Sequence, residues 1–143
     1  MSLRAIGTSD PAVLSPHATV AEAASLMTDR NVGSVFVVGE DRVVGVVTDR
    51  DLVTRVLKKG LDPRDTQLVT VMSENVVTAE SDLALDEAAW RMREHRVRRL
   101  PIVNPDGELV GVVSLDDLIG HLETMPAGVV EILESFHAPY SFV

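Results

Sequence analysis

Apolar positions recur along this chain in two rhythms that alternate twice. Val20, Ala23, Ala24 and Met27 fall at i, i+3, i+4 and i+7, and Leu85, Ala88, Ala89 and Met92 do the same. That spacing places four apolar side chains on one helical face, so each set predicts an amphipathic helix. Two short β-branched runs follow each helix: Val35-Phe-Val-Val38 and Val43–Val47, then Leu100–Val103 and Leu109–Val113. Each pair predicts a hairpin, and Asn104-Pro-Asp-Gly107 is a strong turn signal. A further helix is expected over 49–58 and again over 115–122, ended by Gly60-Leu-Asp-Pro63 and by Met125-Pro126. Thr19 and Glu22 form a capping-box pair. Ala84 stands at the matching place, so the second amphipathic helix is expected to start from Ser81 or Asp82. With a short lead strand around Val13, and another over Val76–Thr78, each unit reads β-α-β-β-α.

The two units are copies. Glu22/Glu87, Ala23/Ala88, Ala24/Ala89 and Met27/Met92 align at a constant offset of 65, which continues through Val37/Ile102. One extra residue enters the second hairpin turn, and the offset becomes 66. Val43-Val-Gly-Val-Val-Thr48 then lies over Leu109-Val-Gly-Val-Val-Ser114, and Asp51-Leu52 over Asp117-Leu118. A weaker echo sets residues 5–11 over 70–76. Internal repetition of this kind implies units that bury their apolar faces together. The expected class is α+β: two repeats packed through their sheets with pseudo-two-fold symmetry. Repeat 1 covers 5–60, a linker and lead-in 61–74, repeat 2 75–124, and an apolar tail 125–143.

Composition narrows the function classes. With 45% apolar but only 3% aromatic residues, the core must be aliphatic. Cysteine is absent, which removes disulfides and thiol nucleophiles and suits a reducing compartment. A net charge of −9 disfavours nucleic acid and anionic membrane as partners. No apolar run approaches the roughly 20 residues that span a bilayer, and the N-terminus lacks a signal core; a cytoplasmic location is expected. His17, His95, His121 and His137 lack zinc-ligand spacing, and no nucleophile elbow, phosphate loop or dinucleotide fingerprint occurs. No catalytic residue, metal or covalent cofactor is expected.

Both hairpins end in Gly-Val-Val-[Thr/Ser]-x-x-Asp-Leu, from Gly45 to Leu52 and from Gly111 to Leu118. Locally this is a strand entering a helix, with Thr48 or Ser114 as N-cap and Asp51 or Asp117 three residues on. A capping box alone explains that pattern. The same groups also suit a nucleotide: helix N–H groups attract phosphate, a carboxylate accepts from a ribose cis-diol, and the glycine admits a base.

Those two segments, with His95-Arg-Val-Arg-Arg-Leu-Pro-Ile-Val103 before the second, resemble the signature of tandem cystathionine-β-synthase (CBS) domains, over about residues 5–122. The resemblance implies a non-enzymatic regulatory module that binds an adenosyl nucleotide in clefts between two repeats. AMP, ADP, ATP, NAD-type nucleotides and S-adenosylmethionine all remain open. Asp51 and Asp117 would then hold ribose, Thr48 and Ser114 would face phosphate, and Val46 and Val112 would line the base. The family also implies a homodimer. The alternative is a ligand-free interaction module whose Thr/Ser-x-x-Asp pairs only cap helices.

The copies differ in charge. Arg91, Arg93, Arg96, Arg98 and Arg99 are five of the 13 basic residues, within nine positions. Arg98 and Arg99 lie at a strand mouth where the family places phosphate contacts, and they are assigned to the ligand, with the Asp51 site a possible destination. Arg91 and Arg93 read as a solvated face. Leu115 and Asp116 replace Asp49 and Arg50, an unfavourable change beside phosphate. In the tail, Val129, Val130, Ile132, Leu133 and Phe136 make a helical stripe over 127–136, and Tyr140 and Phe142 follow; it is expected to dock on its own module or on a second subunit.

Overall fold

The computed structural model describes residues 2–8 and 10–137, the side chains of Leu122 and His137 aside. Tyr140 and Phe142 lie outside the described residues. The α+β class is as expected, with two three-stranded sheets and their helices. Two compact units divide the chain: residues 11–76 form one, and the N-terminal ten residues with 77 onward form the other.

The unit of residues 11–76 begins with β1 (Val13–Leu14), parallel to β2 (Ser34–Gly39), which pairs antiparallel with β3 (Arg42–Thr48). Helix α1 (Val20–Arg30) joins β1 to β2, and its capping box of Thr19 and Glu22 is complete. Val20, Ala23, Met27, Val35, Val37 and Val47 form the core, as the periods require. The β2–β3 turn holds Glu40 and Asp41 at φ 54° and 63°. Two consecutive positive φ values match the twist of the flanking strands, although neither residue is a glycine.

After β3 the chain makes one α-turn, α2 (Asp49–Asp51), and then widens into a π-helix over Leu52–Leu57. The amides of Lys58 and Leu61 donate to the carbonyls five residues back, Val53 and Val56. A single α-helix over 49–58 was the expectation. The Thr54 hydroxyl donates to the Arg50 carbonyl at 3.0 Å, competing with the regular ladder, and β-branched Val53, Thr54 and Val56 crowd it. The wider turn carries Val56 into the core.

The other unit repeats the plan. Strand β4 (Ala79–Glu80) runs parallel to β5 (Arg99–Val103), which pairs antiparallel with β6 (Leu109–Ser114). The lead strand therefore lies just beyond the expected Val76–Thr78, in the register that sets Ala79 against Ile102. Helix α3 (Leu85–His95) starts from Ala84 with no side-chain cap, rather than from Ser81 or Asp82. Glu80 through Leu83 form a turn, the Leu83 amide donating to the Glu80 carbonyl. Asp86 and Glu87 favour the helix N-terminus by charge instead. Gly107, at φ 82°, closes the longer second turn and accounts for the change of offset. Both hairpins carry a bulge at matching places, after Val37 and after Ile102. Helix α4 (Leu115–Ile119) stops at Gly120, earlier than expected.

The tail stripe is helical: α5 (Ala127–Glu134) packs against α3 and ends in a tight turn, Ser135–His137. Val129, Leu133 and Phe136 join the core of this unit with Met92 and Leu118. It covers its own module.

Candidate functional site

Each motif strand delivers its polar residues to a corner where the backbone turns into helix. At the first corner Thr48 has φ −105° and ψ 163°. Its Oγ1 accepts the Asp51 amide at 3.2 Å, and Asp51 Oδ2 accepts the Thr48 amide at 2.9 Å. The second corner copies it: Ser114 has the same φ and ψ, its Oγ accepts the Asp117 amide at 3.0 Å, and Asp117 Oδ2 accepts the Ser114 amide at 2.8 Å. The capping boxes are therefore real. They occupy one carboxylate oxygen of each pair. No hydrogen bond reaches Oδ1 of Asp51 or Asp117 among the described residues.

The surroundings differ. Arg55 lies one turn beyond Asp51, its Nε 3.6 Å from Asp51 Oδ1, and its Nη1 donates to the Val71 carbonyl at 2.8 Å. His121 stands at the matching place, just past the end of α4, its Nδ1 3.0 Å from the Asp117 carbonyl. Leu115, at the position of Asp49, is buried in the core, while Asp116 is exposed. Arg99 sits opposite Ser114 in the β5–β6 ladder, and the Arg98 carbonyl accepts the Leu115 amide at 2.7 Å. These arginines thus flank the corner of their own repeat by ladder position. Thr48, Asp51 and Val46 gather at one corner; Ser114, Asp117, Val112, Arg98 and Arg99 gather at the other.

Val46 and Val112 have their backbone groups engaged. Val46 exchanges two hydrogen bonds with Ser73, at 3.0 and 2.9 Å, and Val112 exchanges two with Thr8, both 2.9 Å. The weak echo in the sequence is structural: a helical turn (Leu3–Ile6) and a 3₁₀ turn (Leu68–Thr70) precede these bridges, with Leu3 and Leu68 both fully buried. The lead-in before each repeat thus joins the strand of the other copy.

The lead-ins also give the glycines a task that the sequence did not reveal. A Cβ on Gly45 would meet the Met72 side chain, 2.8 Å from Cγ, and one on Gly111 would lie 2.8 Å from the Thr8 carbonyl oxygen. Both glycines make room for the lead-in's approach.

Arg91 is tied down, donating to the Thr78 carbonyl at 2.8 Å and pairing with Glu80 at 3.1 Å. Arg93 lies over the half-exposed Trp90 ring. Arg55 escaped notice in the sequence, although its i+4 spacing from Asp51 was a usable signal. No helix among the described residues is long and apolar enough to cross a membrane.

A doubled strand–cap–carboxylate corner on a doubled β-α-β-β-α unit defines a class. The family model described as "CBS domain" matches residues 3–58 and 68–124, and the chain belongs to that family, as a pair of repeats. It is 36% identical over 123 residues to protein MK0525 of Methanopyrus kandleri, covering 85% of this chain and 63% of that protein. It is 41% identical over 111 residues to the CBS domain-containing protein YhcV of Bacillus subtilis, covering 78% of each. Among solved structures it resembles the CBS domain protein PAE2072 of Pyrobaculum aerophilum, complexed with AMP. The identity is 27% and the TM-score 0.76, over 94% of this chain and 99% of that one.

Proposed function

We propose that this chain is a regulatory module that binds an adenosyl nucleotide at its strand–helix corners, with no chemistry of its own. The observation that carries this reading is the division of labour within each carboxylate. Oδ2 caps the helix, while Oδ1 of Asp51 and of Asp117 retains lone pairs for the two hydroxyls of a ribose. Capping and ribose recognition are then compatible rather than competing. The Thr48 and Ser114 oxygens accept an amide, so each hydroxyl proton remains available to a phosphate oxygen. Val46 and Val112 offer side chains, not backbone, to the base. Arg98 and Arg99 supply positive charge in an acidic chain of net charge −9. The likeness to a relative complexed with AMP supports the ligand class.

Calorimetry with adenosine and AMP tests this. Asp51→Ala should weaken both, since a hydrogen-bonded charged acceptor contributes about 1.5–3 kcal/mol. Replacing Arg98 and Arg99 together by Gln should weaken AMP far more than adenosine. If the native chain binds neither compound and Asp51→Ala only lowers the melting temperature, the corners are caps and the module serves interaction alone.

A further inference from the structure

We propose that Arg55 is a positioning residue for the Asp51 corner, and that it ties occupancy of that corner to the connector between the repeats. This deepens the nucleotide-binding reading and rests on it. One guanidinium serves two partners: Nε faces Asp51 Oδ1 at 3.6 Å, and Nη1 donates to the Val71 carbonyl at 2.8 Å. Asp51 is 15% exposed and Arg55 39%. The pair is therefore partly shielded, yet an incoming hydroxyl has access to Oδ1.

Val71 belongs to the connector clip. Its neighbour Met72 fills the space left by Gly45, and Ser73 bridges Val46 through two backbone hydrogen bonds. The Asp51 carboxylate and the connector thus meet at one cation, and the connector residues next to Val71 hold the motif strand. The planar fork of arginine can hold a carboxylate and a carbonyl in different directions, whereas a lysine ammonium is a single point. The second copy lacks the device, because His121, just past the end of α4, turns back to the carbonyl of Asp117. A ribose hydroxyl that donates to Oδ1 draws on the carboxylate charge that also holds Arg55, the cation that anchors Val71. The ligand therefore changes how firmly the connector is held at the first corner and leaves the second unaffected.

The test combines calorimetry with amide hydrogen exchange on the full chain, with adenosine as the probe. Arg55→Met should weaken adenosine binding by about threefold to fivefold, the range of a partly exposed ion pair. Without ligand it should speed exchange at Val46 and Ser73 roughly threefold to tenfold and leave Thr8 and Val112 unchanged, since one local contact is lost. Arg55→Lys should recover most of the affinity but not the protection. In the native chain adenosine should alter exchange at Ser73, and in Arg55→Met it should not. If Asp51→Ala abolishes adenosine binding while Arg55→Met binds normally and Ser73 responds as in the native chain, this proposal falls and the nucleotide reading stands. Absence of adenosine binding by the native chain overturns both.

Discussion

Gly45→Ala and Gly111→Ala separate a glycine that admits a neighbouring segment from one that admits a base. At Gly45 the new Cβ would collide with Met72 Sδ and lie 2.8 Å from Met72 Cγ and 3.2 Å from Met72 Cβ. Carbon contacts are comfortable near about 3.5–4.0 Å, so the thioether arm must withdraw by about 1 Å. Overpacking of that kind costs about 1–3 kcal/mol, and alanine in a strand returns roughly 0.5–1 kcal/mol over glycine. The net loss is then about 1 kcal/mol. At Gly111 the obstacle is the Thr8 carbonyl oxygen at 2.8 Å, which also accepts the Val112 amide. Backbone cannot swing aside as methionine can. The Thr8–Val112 bridge must loosen, and overpacking of about 2–3 kcal/mol, less the same alanine gain, leaves an expected loss of about 1.5–2 kcal/mol. A chain of this size loses about 4 °C in melting temperature per kcal/mol, so the two variants should differ by about 2–4 °C in scanning calorimetry. Met72→Ala should cancel most of the Gly45→Ala penalty in a double-mutant cycle and do nothing for Gly111→Ala. Additive losses at positions 45 and 72, or unchanged melting with lost adenosine affinity, would refute the assignment and return the glycines to a base pocket.

Replacing Glu40 by Asn and Asp41 by Gly should raise stability by about 1 kcal/mol, because the left-handed positions at φ 54° and 63° suit an Asn-Gly turn; a urea midpoint that stays or falls contradicts this. Leu133→Ala should cost about 2–5 kcal/mol, as expected for a core leucine only 5% exposed, and a loss under about 0.5 kcal/mol in denaturant titration would mean that α5 is not docked.

What could be read from the sequence was local. The helix faces at Val20–Met27 and Leu85–Met92, the hairpins and the caps at Thr48 and Ser114 all depend on neighbours a few residues away, and spacing reveals them. The lead-ins did not yield to that reasoning. Thr8 meets Val112 across more than a hundred residues, and Ser73 meets Val46 by reversing the chain. Periodicity carries no information about such pairings; only the faint echo of residues 5–11 in 70–76 hinted at them. This task of the glycines was hidden for the same reason, since the group that needs the space comes from far along the chain. The π-turn after Asp51 was missed because Thr54 competes for a carbonyl, a choice that an apolar pattern does not register.

The doubled cap also bears on how binding at the corners would be energetically feasible. A free aspartate must give up rotamer freedom before it can present one oxygen to a ribose, and that loss subtracts from affinity. In this chain the loss is incurred on folding. Asp51 and Asp117 are already fixed by the Thr48 and Ser114 amides at 2.9 and 2.8 Å. The residue that fixes the carboxylate is also its N-cap, so the hydroxyl and the carboxylate keep a constant separation. The near-identical geometry of the two corners follows from that closure, since Thr and Ser differ only by a methyl group outside the hydrogen-bonded ring. Differences in ligand preference between the corners must therefore arise outside the ring. Arg55 against His121, Asp49 and Arg50 against Leu115 and Asp116, and Gly33 and Ser34 against Arg98 and Arg99 are where the two copies differ beside it.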